Sequence, residues 1–563
     1  MAIPIDSSSS LDVLRVIPMG GLGEIGLNMM AIEYGDSIIV IDAGLMFPED
    51  SMLGVDIVIP DFAYVRANRD RLKAIFITHG HEDHIGAVPF FLREFNTPVY
   101  ATPLTLALIR EKLREHGLLE RSKLIEMTPR EKVEIGPFSV EPIQVCHSIP
   151  DGVGLAVTTP LGVLIHSGDF KIDQTPIDGK RFDVARFSVY GEQGVLALFS
   201  DSTNVEREGH TLSEKDVGAT LHEVFRECTG RIIVAVFASN LHRIQQVIRL
   251  AKEFGRKVLL NGKSMLTNVR IGRELGCLDF SGEEEIFLQD LPKFADSEVL
   301  ILTTGSQGEP MSALTRMAFN DHKKLKVNPG DTIVLSSKFI PGNERNIQTI
   351  INNLYRQGAE VIHEQVRDIH VSGHAYQGEL RLMLNIVRPK FFIPIHGEYR
   401  HLVKHRQLAI STGVPQERCL LAEDGNAITF WPDGEACIGQ AIESGRVFVD
   451  GKGVGDVGSI VLRDRRHLSE DGLVIASLVI DKESREILSG PDILSKGFIL
   501  EETKPEILDS AKCVILDVFD RFLAEGYELD CADLQIEIRR DLKRFFNRLL
   551  NRRPVIYPIV TEI

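Results

Sequence analysis

From Leu11 to about Leu212 the chain repeats one pattern, a short apolar run followed by a turn signal. The runs are VLRVIPM, NMMAIEY, SIIVIDAG, AIFITHG, TPVYATP, FSVEPIQVCHS, GLAVTTP, GVLIHSGDF and VLALFSDSTN. Several are apolar almost throughout, as strands covered on both faces are. Helical spacing separates some of them, as in LTLALIREKLREHG, so this region is α/β with parallel and antiparallel pairings both open. From about Ser213 to Gln365 the alternation becomes regular. SEKDVGATLHEVFREC and LHRIQQVIRLAKEFG read as helices, and RIIVAVFASN, KVLLNG, EVLILTTGS and DTIVLSS as strands. That rhythm predicts a parallel sheet with crossover helices. From Arg367 histidine-rich strand-and-loop pieces return, ending near Thr429–Gly439. GKGVGDVG, after Gly445, reads as a linker or hinge before a last unit that runs to Ile563. The expected segments are therefore 1–212, 213–365, 366–445 and 446–563. No internal repeat is visible, and the one low-complexity piece, Ser7–Ser10, is short.

A chain of 563 residues is too long for a single core and predicts two to four domains. Hydrophobic residues at 44% and charged ones at 25% are ordinary for a soluble protein. No apolar run is long enough to span a bilayer. The N-terminus lacks a basic region followed by an apolar one, so no secretory signal is expected. The seven cysteines lie far apart without a CxxC pair. This argues against a disulfide framework or zinc knuckle and for a reducing cytoplasm. A formal charge of −17 tells against a surface coated for nucleic acid, yet leaves room for a local basic groove.

GLGEIG, Gly21 to Gly26, matches the dinucleotide fingerprint. The fingerprint works only when its glycines open a helix facing a pyrophosphate. Here LNMMAIEYGDSIIVIDAG follows, which alternates as strand–turn–strand. The stretch reads as a loop between strands, bordering an active site.

THGHEDHIG, Thr78 to Gly86, places three histidines and an aspartate at the end of a buried run. Alternation can aim His79 and His81 at one ion, and a turn can redirect Asp83 and His84 to a neighbouring one. Glu82 would point away from both. Imidazole and carboxylate together suit zinc or another borderline divalent ion. Four such groups do not complete two sites, so the remainder must come from other strand ends. His147, Asp169 (with His166 three residues earlier) and His396 each terminate an apolar run, where loop side chains converge on a cleft.

HxHxDH at 79–84, His147, Asp169 and the late His396 resemble the metallo-β-lactamase hydrolase superfamily. Asp42 matches its early strand-end aspartate, a structural brace for the metal loop. The resemblance implies that His79, His81 and His147 hold one zinc and Asp83, His84 and His396 the other, with Asp169 bridging. Flavodiiron relatives carry HxExD; histidine at the glutamate position here favours hydrolysis. SDSTN, VSGHA and PIHGE resemble motifs A, B and C of the β-CASP nucleases, with Asp201, His374 and His396 at the matching positions. A histidine in motif C is the form found in RNA-processing members. VFASNLHR, TTGSQGEP and SSKFIPGNE resemble the inserted domain of the bacterial ribonuclease J family.

That likeness implies an αββα metallo-β-lactamase sandwich split by a β-CASP α/β domain at 213–365, with a small α/β C-terminal domain. It implies a ribonuclease that acts 5′→3′ on 5′-monophosphorylated single-stranded RNA and also cuts internally, leaving 5′-phosphates. Two Zn2+ per subunit are expected, with Mn2+ or Mg2+ as substitutes in vitro. Two close ions activate water and stabilise charge on phosphorus. Asp83 and Asp169 would orient them, and His374, fixed by Asp201, would protonate the leaving oxygen. The loops Ala238-Ser239-Asn240 and His370-Val371-Ser372-Gly373-His374 would grip RNA phosphates through backbone amides. Phe47 could stack on a base. A homodimer or homotetramer, RNA-decay partner proteins and a cytoplasmic setting are further expectations. QIEIRRDLKRFFNRLLNRRP reads as an amphipathic basic helix, a domain helix with one solvated basic face or an RNA-guiding or subunit surface. The rival readings are a small-molecule ester, thioester or lactam hydrolase of the same superfamily, and a non-catalytic RNA-binding subunit.

Overall fold

The N-terminal apolar runs become strands of two mixed sheets. The computed structural model describes residues 12–309, 311–339, 343–498, 505–524 and 530–563. Ser7–Ser10, Pro310 of TTGSQGEP and residues 340–342 of SSKFIPGNE lie outside the described residues. Among the described residues the first sheet has eight strands, in the order Ala436–Ala441, Asn426–Phe430, Leu14–Gly20, Met29–Tyr34, Ser37–Ile41, Leu72–Phe76, Val99–Ala101 and Leu124–Glu126. The second has six: Pro389–Ile395, Val195–Asp201, Gly162–His166, Val153–Thr159, Phe138–Gln144 and Val133–Ile135.

Alternate residues point to opposite faces, and this brings the two sheets together. Ile39, Ile41 and Phe76 of the first pack with Val140, Leu155, Leu164, Phe199 and Ile393 of the second in one buried cluster. The other face of the second sheet is covered by Phe187, Tyr190, Leu380, Leu384 and Leu408, all from helices. Beyond the first sheet, Phe62 meets Phe91 and Phe95 edge-on, and those two rings are tilted against each other. The result is an αββα sandwich whose last strands arrive only after the insertion.

The inserted region forms a sheet of six strands, all paired in parallel. Its central strand Ile232–Ala235 buries Ile232 and Val234 on one side and Ile233 and Ala235 on the other, against helices on both faces. Local signals start the helices where the pattern changes. Ser213 caps Glu214–Glu227 in a reciprocal box with Asp216, and the Asn240 side chain accepts from Arg243 N at 3.0 Å to start Leu241–Glu253.

Phe47–Ile57 clusters with Phe448–Ile563 as a unit distinct from Met1–Met46 and Val58–Val447. Within it Asp56 N donates to Val449 O at 2.9 Å, Gly451 N to Asp56 Oδ2 at 2.7 Å and Arg465 to Leu53 O at 2.9 Å. The glycine-dense stretch is no free spacer, since Val449 and Asp450 pair antiparallel with Val454 and Gly453. The strand Leu473–Ile480 lies between Ile487–Lys496 and Val555–Glu562, packed on the helices Pro505–Ala524 and Cys531–Leu550. The basic helix is thus a core helix, burying Leu534, Ile538, Leu542 and Phe546. Its Arg540 and Arg544 pair with Glu537 and Asp541, which neutralises part of the basic face.

Candidate metal centre

Parallel pairing puts the carboxyl ends of several strands at one edge. Ile41 is in register with Phe76 in the first sheet, which sets Asp42 beside Thr78; Asp201 is in register with Ile395 in the second, beside His396. Between His81 and Glu82 the chain turns from extended backbone into the short helix Glu82–Ile85. The turn separates His79 and His81 from Asp83 and His84. Glu82 is committed elsewhere, to Lys112.

The seven candidate ligands form two groups that share one residue: His79, His81, His147 and Asp169, and Asp83, His84, Asp169 and His396. In the first, His81 Nδ1 lies 3.0 Å from His79 Nε2 and 3.1 Å from His147 Nε2, while Asp169 Oδ2 is 3.6 and 3.8 Å from those two Nε2 atoms. In the second, Asp169 Oδ2 is 3.3 Å from His84 Nε2 and 3.5 Å from His396 Nε2. Asp83 Oδ2 is 3.6 and 3.3 Å from the same nitrogens. A tetrahedral zinc with ligands at ~2.0–2.1 Å spaces them by ~3.3–3.4 Å. Both donor sets therefore fit a borderline divalent ion, with a single Asp169 oxygen as common vertex.

Electrostatics support the same reading. Burial, then neighbouring imidazoles, hold His79 and His147 well below the ordinary histidine value, and burial drops His81 to about 4, so all three are neutral ligand forms. Burial pushes Asp169 up, but His396, His84 and His79 outweigh it and keep the carboxylate ionised. Burial likewise pushes His84 and His396 down, and there the carboxylates win. His84 is driven well above its usual value and His396 to about 9, with Asp169 the leading cause for both. The second cluster demands positive charge.

Hydrogen bonds fix the rings of His79, His84, His147 and His396 by the other nitrogen, with His79 Nδ1 3.1 Å from Thr78 Oγ1. Asp42 accepts from Thr78 N, Thr78 Oγ1 and His84 Nδ1, each at 2.8 Å. His147 Nδ1 donates to Gly373 O at 2.8 Å, and His396 Nδ1 meets Thr203 Oγ1 at 2.7 Å. Thr203 also donates to Asp201 Oδ1 at 2.7 Å, and Asp201 Oδ2 holds His374 Nδ1 at 2.8 Å. Burial lowers His374, but Asp201 more than restores it, and the net shift is upward. His374 Nδ1 lies 4.0 Å from Asp169 Oδ2, so the motif B histidine stands beside the shared ligand.

The other candidates separate. Asn240 spends its side chain on the helix cap. Among the described residues the amides of Ala238 and Ser239 make no hydrogen bond, and Ser239 lines a groove of about 640 Å3 with Gly80, Lys263, Asn268, Arg316 and His322. His370 is pushed down to about 3 by burial and then by Arg243, and its Nδ1 has no partner. Val371 is buried, and Ser372 Oγ receives Asn204 Nδ2 at 2.6 Å. Gly373 packs on a ligand ring: a Cβ there would meet His147 Cε1 at 2.7 Å. Phe47 is 68% exposed and belongs to the other unit. GLGEIG opens no helix; Leu22–Gly23 pairs with Gly397–Glu398, just after His396. Thr78, Thr203 and the Gly373 carbonyl escaped sequence reading. Each follows from asking where the second nitrogen of a ligating histidine bonds.

The sandwich and its paired donor sets define a metallo-hydrolase of the metallo-β-lactamase type, and the superfamily model matches residues 22–196. A model of Zn-dependent metallo-hydrolase RNA specificity domains matches 358–418; the ribonuclease J β-CASP and C-terminal domain models match 229–354 and 460–563. The chain is 43% identical to ribonuclease J 1 of Streptococcus pyogenes over 97% of each sequence. It is 42% identical to ribonuclease J2 of Bacillus subtilis over 98% of this chain and 99% of that one. With ribonuclease J of Thermus thermophilus it shares 40% identity over 98% and 96%. The chain belongs to the ribonuclease J family. A solved Enterococcus faecalis protein of unknown function shares the fold, with a TM-score of 0.53 at 17% identity over 74% of this chain and all of that one.

Proposed function

We propose that the protein is a two-zinc ribonuclease that removes nucleotides 5′→3′ from 5′-monophosphorylated single-stranded RNA and also cleaves internally. The observation that carries this is the shared Asp169 oxygen with His374 beside it, on a chain of the ribonuclease J family. Divalent ions bound there supply a Lewis acid for a phosphodiester oxygen and lower the pKa of an attacking water. Asp169 and Asp83 provide the anionic charge, and the imidazoles, which ligate a metal in their neutral form, provide direction. His374 commits Nδ1 to Asp201. Its Nε2 is left to carry a proton to the departing 3′-oxygen, which leaves a 5′-phosphate on the product.

The groove beside Gly80 touches the metal loop between His79 and His81, and its Ser239 rim and Arg316 suit a sugar–phosphate chain, while its Lys112 and Lys263 are paired with Glu82 and Glu115. The amides of Ala238 and Ser239, with the His370–His374 loop, are the proposed grip on phosphates and on a terminal 5′-monophosphate; Phe47 is a candidate stacking surface. Self-association as a dimer or tetramer, and a place in cytoplasmic RNA maturation and decay, belong to the same reading. The test is digestion of RNAs with defined 5′ ends. Monophosphorylated RNA should release mononucleotides, chelation or His81→Ala should abolish release, and triphosphorylated RNA should resist attack from the end. Equal degradation of both RNAs would remove the end-recognition part; indifference to all RNA would favour a small-molecule hydrolase.

A further inference from the structure

Glu379 belongs to neither ligand cluster, yet it is 1% exposed and its carboxylate accepts four hydrogen bonds. Oε1 receives Ile172 N at 2.8 Å; Oε2 receives Tyr376 N at 2.9 Å, Thr211 N at 2.9 Å and Thr211 Oγ1 at 2.7 Å. The bond from Tyr376 is an ordinary reach-back from the first turn of the helix Gln377–Val387. The other bonds serve no need of that helix. They come from two distant segments. Ile172 follows Asp169 by three residues, and Thr211 also lies 3.2 Å from the carbonyl of His374. Tyr376 follows His374 by two. Among the described residues no Lys or Arg pairs with this carboxylate, so neutral donors drawn from three segments hold it.

We infer that Glu379 is a positioning residue that sets His374 against Asp169 by tying the segment behind the shared ligand to the loop that carries the proton donor. The inference rests on the reading of His374 as that donor. Its chemistry makes it separable. In Glu379→Gln the single amide oxygen must serve the three donors at Oε2, which turns the NH2 group toward Ile172 N–H. Two donors then oppose each other, and the tie to the Asp169 segment is the one that breaks. Misplacing a reacting group by ~1 Å costs ~100-fold in rate.

Two diesters distinguish positioning from general damage. RNA expels a poor alkoxide that needs a proton; bis(p-nitrophenyl) phosphate expels a phenolate that needs none. Glu379→Gln should lower kcat on RNA ~10–100-fold, with KM for RNA and metal content unchanged and hydrolysis of the activated diester nearly intact. Equal loss on both diesters overturns the inference, because Glu379 would then support the whole centre. An unchanged kcat on RNA overturns it too. Should the glutamine variant not fold, Thr211→Val removes one donor and keeps the backbone bond. It must show the same split in smaller measure, and its absence is equally fatal. Failure of the unmutated protein to cut RNA while it hydrolyses the activated diester refutes the ribonuclease reading itself, and the inference with it.

Discussion

Replacing Asp169 by Asn tests the shared vertex directly. Oδ2 of Asp169 stands 3.3–3.8 Å from the ligating nitrogens of four histidines, two in each cluster. An amide keeps the shape and removes the charge. The first cluster then retains three neutral imidazoles and no anion; the second retains only Asp83. Deleting one partner from a buried charged pair costs ~3–5 kcal/mol. At ~1.4 kcal/mol per decade this weakens metal binding ~10²–10³-fold or more. One Asp169 oxygen is common to both donor sets, so the loss should fall on both ions. Asp83→Asn touches only the second cluster. Each variant should be loaded with zinc, dialysed against a chelator concentration the unmutated protein withstands, checked for native circular dichroism, and assayed for zinc per chain. The expected order is two for the unmutated protein, one for Asp83→Asn and less than one for Asp169→Asn. Equal zinc loss in the two variants would refute the single-oxygen bridge, and retention of both ions by Asp169→Asn would falsify the assignment of that ligand.

Two further outcomes follow from contacts around the centre. Gly373→Ala places a Cβ 2.7 Å from His147 Cε1 and 3.0 Å from Ser148 N. The His147 ring must move, and zinc affinity should fall ~10–100-fold as it does when ligand support is lost; competition with a fluorescent chelator reads this, and unaltered affinity counts against the clamp. Asp424 is raised from 3.8 to about 8 by burial and then by the Glu24 carboxylate, while it accepts from Leu22 N. Its folded pKa lies above its unfolded one, so its stabilising contribution is full below pH ~4 and lost as pH rises through ~8. Urea titrations should therefore show stability falling between about pH 4 and 8, and Asp424→Asn, which can donate to Glu24 at any pH, should flatten the fall. An identical slope in both proteins would discard the coupling between the two half-buried carboxyls.

Much of this was legible because ligands and strands are coupled in the chain itself. Each apolar run that feeds the centre ends on the polar residue that the sheet delivers to its edge; the strands before Asp42, Asp169 and His396 each have a parallel neighbour, whereas the one before His147 is antiparallel on both sides. The regular helix–strand rhythm after Ser213 likewise could become little other than a parallel layer. Long-range choices were not legible. That Phe47–Ile57 joins the C-terminal unit depends on Asp56 meeting Val449 and Gly451, and no local period signals this. That His81 presents Nδ1 while His79 and His147 present Nε2 depends on what each other nitrogen meets, such as the Gly373 carbonyl beside His147. Glu379 looks like a common first-turn glutamate, and its remaining donors lie more than a hundred and sixty positions away in the chain.

Strand ends alone do not aim these side chains. Asp42 and His396 each follow the last residue of a parallel strand, and each adopts a left-handed backbone, with φ of 60° and 54°. For residues with a Cβ that conformation costs ~1–2 kcal/mol. Without it the chain would continue extended, and strict alternation would send the side chain across the sheet face and away from the edge. The surroundings hold the turns. Asp42 receives three hydrogen bonds, and Gly44 lets the loop pass so near the metal segment that a Cβ would fall 1.6 Å from Asp83 O. His396 is held by Thr203 on one nitrogen and the carboxylates of Asp83 and Asp169 around the other. Strain at two backbone positions is thus part of how the centre is built. It orients Asp42 and His396 toward the edge where the two donor sets lie. Glu379 adds to this a bond between the segment after Asp169 and the loop that carries His374, a loop that Asp201 and Asn204 hold from the strand side.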